Sequence, residues 1–259
     1  MVAPEARWQA LLPVLRHWPL AVAFSGGLDS RFLCFALRRA GCDVLALHAT
    51  GPHVPQAESE AARRWARAQG WPLPGVRHDP LSLPEVAVNS RERCYACKRA
   101  LMRRLRDALA AAGGCRILCD GSNADDEYDD RPGMRALHEL GVRSLLMETG
   151  WHKAEERALL RAWGFARWDM PAGACLATRV RTGEGITKAK LSVVRACEDY
   201  LHEQGFRQVR ARLSANGMKI ELAKRELART GGELPADMRA ELERRAGCSV
   251  DPHLYCYPR

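Results

Sequence analysis

The chain has 259 residues, 47% of them hydrophobic, and a formal net charge of +9. That length supports a substantial core in one or two domains, and no apolar run approaches the roughly 20 residues that a membrane helix needs. Most of the 40 basic residues are arginines spread over helix faces such as 99–106, the pattern of a solvated surface, so nucleic-acid binding is not expected. The chain then alternates apolar runs with helical periodicity. An amphipathic helix is expected over 5–17, a strand over 20–24, a helix over 31–39 ending at Gly41, and a strand over 43–49. A helix over 58–69, a short strand over 76–78, an irregular stretch over 80–93 and a strong helix over 97–112 follow. Next come a strand over 116–120, a polar loop over 121–133, a helix over 134–140, a strand over 143–148 and a helix over 154–163. Beyond Gly164 the texture changes to a long loop over 169–185, a helix over 188–204 and two strands over 208–213 and 218–222.

Strands alternating with helices imply right-handed crossovers and a mostly parallel sheet covered on both faces. The expected fold class is therefore α/β, followed by a smaller C-terminal α+β domain. The boundary falls near residue 168, giving domains 1–168 and 169–259, with the active site between them. Ligands of parallel sheets lie at the C-terminal ends of the strands. Ser25, Thr50 and the run Asp120-Gly121-Ser122-Asn123 each come just after a strand, so they should share one sheet edge.

The most informative stretch is Ser25-Gly26-Gly27-Leu28-Asp29-Ser30, a glycine turn that leads from a strand into a helix. Unpaired N–H groups at such a helix start suit an anion. Gly26 and Gly27 permit close backbone approach, and Ser25 and Ser30 add hydroxyl donors. Asp29 would repel a bare phosphate, so it implies a hard cation, Mg²⁺, between them. A Walker loop needs Lys-Ser or Lys-Thr after its last glycine, and none is present. The stretch resembles instead the PP-loop of ATP pyrophosphatases, of adenine nucleotide alpha hydrolase-like fold. That resemblance implies cleavage of ATP between its α and β phosphates.

Three further groups carry chemistry. Cys94-Tyr95-Ala96-Cys97-Lys98 sets two thiols at a helix start, where the positive helix end favours thiolates. A redox pair, half a zinc site, part of an iron–sulfur site and two packed cysteines all fit that spacing. The loop from Asp120 through Asp125, Asp126, Asp129 and Asp130 is either a solvated acidic loop or a set of carboxylates for Mg²⁺ or a cationic substrate. Cys175 lies in a small-residue loop with Arg179 just beyond, a residue able to grip phosphate or carboxylate in a fork. Beside an adenylating site a thiolate is the natural attacker of an activated carboxylate. Cys34, Cys42, Cys115 and Cys119 sit among apolar residues and are expected in the core. Ten cysteines and no signal-peptide core argue for a cytoplasmic protein without a disulfide framework.

These motifs come in the order found in the LarE family: Ser25-Gly-Gly-Leu-Asp-Ser, Arg93-Cys-Tyr-Ala-Cys-Lys, Asp120-Gly-Ser-Asn-Ala-Asp-Asp with Arg131-Pro-Gly, and Pro171-Ala-Gly-Ala-Cys-Leu-Ala-Thr-Arg with Gly185-Ile-Thr. The chain resembles that family over residues 20–222. The resemblance implies an ATP-dependent sulfur transferase of nickel-pincer cofactor biosynthesis, acting on pyridinium-3,5-dicarboxylate mononucleotide; a homo-oligomer is expected. ATP would be held by Ser25, Gly26, Gly27, Asp29, Ser30, Thr50, Gly121, Asn123 and Lys98. Mg²⁺ would be held by Asp29, Asp125 and Asp126. Cys175, with Asp29, Arg179 and Glu198, would carry the chemistry. Family members either sacrifice the loop cysteine or hold a [4Fe-4S] cluster on three cysteines. Cys94, Cys97 and Cys175 are all present, which favours the cluster. The rival readings are a PP-loop tRNA thiolase and a nucleotide-binding regulatory module without catalysis. The stretch 223–259 carries no motif.

Overall fold

The computed structural model describes Ala6, Gln9 and residues 15–126, 132–170, 173 and 175–257. Most of the helix expected over 5–17, Asp129 and Asp130 of the acidic loop, and Pro171, Ala172 and Ala174 of the cysteine loop lie outside the described residues. The chain forms two compact units. The first comprises Met1–Gly51, Gln56–His78 and Cys94–Gly173; the second comprises Pro52–Pro55, Asp79–Arg93 and Ala174–Arg259.

The first unit is built on β1 (Leu20–Ala23), β2 (Val44–Thr50), β3 (Gly75–Arg77) and β4 (Ile117–Cys119), hydrogen-bonded in the order β3-β2-β1-β4. Every pairing in this sheet is parallel. The helices of this unit are α1 (Leu28–Arg39), α2 (Gln56–Ala68), α3 (Arg93–Ala111, its first residue in the second unit), α4 (Pro132–Glu139) and α5 (Lys153–Ala162). Alternation along β1 supplies both faces. Leu20, Val22 and Phe24 pack with Phe32, Leu33 and Leu37 of α1, Trp151 and Leu160, whereas Ala21 packs with Met102, Leu105 and Leu109 of α3 and Leu137 of α4. A strand buried on both faces, with helices on each, is the arrangement that parallel crossovers produce. The fold class read from the sequence is the one observed.

The order 3-2-1-4 reverses direction between β1 and β4. That places a switch point at the ends of these two strands, where ligands of open α/β sheets bind.

One expected strand is absent. Arg143 makes a single parallel bridge to Cys119, and the chain then turns into a short helix, Leu145–Glu148. The reason is polar. Glu148 folds back to accept from the Ser144 N–H at 3.1 Å and pairs with Arg143, and Ser144 Oγ donates to Asp120 at 2.8 Å. These bonds draw the Leu145-Leu146 run, buried either way, into a turn. A second difference is Cys115, which is exposed, whereas Cys34, Cys42 and Cys119 are buried.

The second unit contains α6 (Lys188–Glu203), β5 (Val209–Ser214), β6 (Gly217–Leu222), α7 (Ala236–Ala246) and β7 (Val250–Cys256). β5 and β6 form an antiparallel hairpin, and β7 joins β6 in parallel after the α7 crossover. The residues without a sequence motif thus complete the sheet. Their core is Cys197 and Leu201 of α6 with Ile220, Leu222, Leu242 and Leu254. Among the described residues no helix is long and apolar enough to cross a membrane.

Candidate functional site

The turn after β1 is held by its own hydroxyls. Ser30 Oγ donates to the Gly27 carbonyl at 3.0 Å and accepts from the Gly26 N–H at 3.2 Å, and Ser25 Oγ accepts from the Gly27 N–H at 3.2 Å. Gly26 has φ +85°, and a Cβ there would stand 2.7 Å from Cβ of Ala62 on α2. Only glycine allows that conformation at that approach. Arg31 locks the turn from behind. It is buried, donates through Nε to the Gly26 carbonyl at 2.7 Å, and lies 5.3 Å from the Trp65 ring centroid. Burial first, then the charge of Arg167, pulls its guanidinium down to about 10. Gly27 is the N-cap of α1 and offers no side-chain cap. The start of α1 therefore presents backbone donors, with their partial positive charge, to an incoming anion.

The loop after β4 meets this turn. A Cβ on Gly121 would lie 3.0 Å from the Ser30 nitrogen. Asn123 is buried and acts as a bridge, donating through Nδ2 to Asp29 Oδ1 at 3.3 Å and to Glu156 Oε1 at 3.1 Å. Lys153 Nζ stands 3.2 Å from Asp29 Oδ2. Glu156, fully buried on α5, is pushed up to about 9 by that burial first and by the negative charge of Asp29 second. Around neutral pH it holds a proton.

The other acidic residues are engaged elsewhere. Asp125 accepts from the Lys153 N–H at 2.9 Å and pairs with His152 at 2.7 Å, at the start of α5. These bonds, His152 foremost, hold its carboxyl below the usual range. Asp126 accepts from the Asn123 N–H at 3.2 Å. Lys98 pairs with the buried Asp120 at 3.6 Å, and Asp120 also accepts from Ser122 and Ser144. Thr50 ends β2, three residues past the level of Ala23, and its carbonyl accepts from the His78 N–H.

Helix α3 starts at Arg93, four residues before the expected start, so Cys94 and Cys97 share its first turn at a spacing of three. Cys94 is exposed and Cys97 is half-buried, with His78 Nε2 3.4 Å from its sulfur. Among the described residues no group of three or more His, Cys, Asp or Glu side chains is gathered around a metal position.

In the second unit Cys175 caps a short 3₁₀ turn, Leu176–Arg179. Its carbonyl accepts from the N–H and hydroxyl of Thr178, while Leu176, Ala177, Val180, Ile186 and Leu191 pack beneath. Arg179 and Glu198 face each other. Arg179 Nε donates to Glu198 Oε1 at 2.6 Å and Nη2 to Oε2 at 3.3 Å, both side chains being under a tenth exposed. Glu198 also accepts from the Ala211 N–H at 2.9 Å. The pair thus ties the cysteine turn to α6 and β5. Asn89 fixes the following turn, with φ +58° and Nδ2 donating to the carbonyls of Val180, Arg181 and Glu184.

Over 202 residues the chain is 38% identical to an uncharacterized protein of Synechocystis, covering 78% of this chain and 75% of that one. Over 205 residues it is 35% identical to the pyridinium-3,5-bisthiocarboxylic acid mononucleotide synthase of Lactiplantibacillus plantarum, covering 78% and 74%. The chain belongs to the LarE family. An uncharacterized protein of Methanocaldococcus jannaschii is 25% identical to this LarE-family chain over 204 residues, covering 78% and 77%. No protein-family model matches it.

The donor sets in this LarE chain differ in what they fit. The uncapped α1 start and the glycine turn fit the phosphates of ATP. Asp29 with the enclosed oxygens of Glu156 is a hard-oxygen set of the kind Mg²⁺ takes alongside phosphates. Cys94 and Cys97 offer two soft donors from one helical turn. Sequence reasoning missed Lys153 and Glu156. Their spacing on α5 was the available signal, but a Lys and a Glu one turn apart ordinarily mark a solvated helix face.

Proposed function

We propose that this chain is an ATP-dependent sulfur transferase that adenylates a carboxylate of pyridinium-3,5-dicarboxylate mononucleotide and converts it to a thiocarboxylate for the nickel-pincer cofactor. The observation that carries this reading is the uncapped start of α1 behind Gly26, at the switch point of the sheet, in a chain 35% identical to a bisthiocarboxylic acid mononucleotide synthase.

In the first half-reaction a substrate carboxylate oxygen attacks the α-phosphorus of ATP, and pyrophosphate leaves. The amides at the start of α1 and the Ser25 hydroxyl would hold the departing phosphates, with Ser30 bracing the turn, and Asp29 would hold the Mg²⁺ that neutralises them. In the second, a sulfur nucleophile attacks the acyl carbon, and AMP leaves with the bonding electron pair. Repetition on the second carboxylate gives the bisthiocarboxylate. Where Cys175 is itself the nucleophile, the thioester formed breaks at its Cβ–Sγ bond as the Cα proton leaves, so the sulfur stays with the product and dehydroalanine remains. Cys94, Cys97 and Cys175 are the thiolates that would hold a [4Fe-4S] cluster, which when bound supplies a transferable sulfide at its open iron. Arg179 and Glu198 pair with each other and tie the Cys175 turn to α6 and β5.

The test uses protein purified without oxygen, supplied with ATP, Mg²⁺ and the dicarboxylate mononucleotide. Pyrophosphate release and a product carrying sulfur in place of carboxylate oxygen are expected. Cys175→Ala should still bind ATP and yield no thiocarboxylate. Sulfur transfer by that variant would remove Cys175 from the mechanism, and absence of pyrophosphate release by the parent protein would overturn the reading as a whole. Iron and acid-labile sulfide in the active protein support the cluster. Iron-free active protein whose mass falls by one H₂S assigns the sulfur to Cys175 itself, left as dehydroalanine.

A further inference from the structure

Four residues beside the α1 start form an arrangement that neither the motif nor the relatives' names assign. Lys153 and Glu156 lie one turn apart on α5 and so project to the same side. The Lys153 ammonium is 3.2 Å from Asp29 Oδ2. The Asn123 amide reaches Asp29 Oδ1 and Glu156 Oε1 together, at 3.3 and 3.1 Å. One nitrogen thus ties two carboxyl groups to each other. Glu156 is 0% exposed; its second oxygen, Oε2, accepts no hydrogen bond from any described residue, and it can be tied to the Asp29 carboxyl only while Glu156 carries a proton. A buried acceptor left without a donor is costly, and natural structures rarely keep one without a further occupant. Here the neighbour is another carboxyl group, and one ammonium serves only one of the two. Two oxygen donors with a vacant lone pair, next to a phosphate-binding helix start, suit a divalent cation that takes one or two carboxylates and completes its shell with phosphate oxygens.

We propose that Asp29 and Glu156 together ligate the divalent cation of the nucleotide, and that Lys153 stands in for that cation while the site is empty. Loading is an exchange. The cation takes Asp29 from the ammonium, and Lys153 is freed to pair with the phosphates that arrive with it. The cation's two charges take the places of the ammonium that leaves Asp29 and of the proton that leaves Glu156 as its carboxylate ligates. Asn123 positions both ligands and needs no contact with the cation. The nucleotide half of this inference rests on the function proposed above; the cation half does not.

The experiment separates the two. Mn²⁺ binding is measured by electron paramagnetic resonance on the full chain, without nucleotide and with a non-hydrolysable α,β-methylene analogue of ATP. The variants are Glu156→Gln, Glu156→Asp and Lys153→Gln. Lys153→Gln should bind Mn²⁺ alone more tightly than the parent, because its competitor is gone. Glu156→Gln should lose affinity for Mn²⁺ by at least roughly tenfold, the smallest loss that even an outer-shell partner causes. Glu156→Asp, which keeps the charge on a shorter arm, should fall between. A Glu156→Gln protein that melts cooperatively and binds Mn²⁺ like the parent overturns the inference, and so does a Lys153→Gln protein with unchanged Mn²⁺ affinity. Failure of the analogue to bind any of the proteins, with the Mn²⁺ pattern intact, upholds the cation site and removes the nucleotide reading.

Discussion

Replacing Glu156 by Gln should change how stability depends on pH in the metal-free protein. Gln matches the protonated acid in shape. It can accept the Asn123 amide hydrogen bond through its oxygen and offer an N–H toward Asp29. The parent carboxyl is raised from 4.5 to about 9 by burial first and by Asp29 second. Between those values the folded chain holds a proton that the unfolded chain has released. Stability from this group is therefore complete below about 4.5 and is lost as pH rises toward about 9. The slope is about 1.36 kcal/mol per pH unit, so from pH 6 to pH 8 the parent should lose about 2.7 kcal/mol relative to the variant. For a chain of this length that corresponds to roughly 5 °C in Tm. The assay is thermal melting with a chelator present, at pH 6, 7 and 8, on both proteins. The parent's Tm should fall across the series relative to Glu156→Gln, which should be the more stable at pH 8. Parallel curves would refute the claim that Glu156 is protonated in the folded state.

Two other substitutions probe the two units separately. Gly26→Ala forces a side chain into φ +85° with its Cβ 2.7 Å from Ala62; it should cost about 2–4 kcal/mol in a urea melt and weaken ATP binding, and an unchanged midpoint would contradict the tight turn. Glu198→Ala strands the buried Arg179 and should cost about 3–5 kcal/mol, whereas the double change Arg179→Met with Glu198→Leu should cost well under half of that, a comparison that a melt of the three proteins decides.

The sheet and the glycine turn at its edge were legible because glycine and strand signals are local. Gly26, Gly27 and the apolar run before them can be read from a dozen residues, and the crossover rules supply the rest. The helix at Cys94 and Cys97 was legible in kind but began four residues earlier, at Arg93, whose N–H bonds to the Ser90 carbonyl ahead of the apolar period. The Leu145–Glu148 helix was not legible, since a short buried apolar run carries no period and its fate is set by Asp120, some twenty-five residues away in sequence. The same limit hid Glu156. Its burial and its closeness to Asp29 exist only once α5 has docked on the sheet. The Arg179–Glu198 pair shows the converse. Both residues were singled out for the chemistry, and no spacing rule forecasts that a Cys-loop arginine and a helix glutamate will pair with each other.

The second unit is stitched from three separate pieces of chain, Pro52–Pro55, Asp79–Arg93 and Ala174–Arg259. During synthesis the first two emerge long before their partners exist. Asn89, already in its left-handed conformation when folded, needs the carbonyls of Val180, Arg181 and Glu184, which follow about ninety residues later. The His53 carbonyl likewise waits for the Leu176 N–H. A nascent chain that has reached residue 173 can assemble the parallel sheet but must carry these pieces without those partners, their freed backbone and amide groups on water. The last third of the protein therefore closes a seam: ribosome stalling or proteolytic loss anywhere in it should leave two segments beside an otherwise finished parallel sheet hanging open, and mark them as the first targets for a protease.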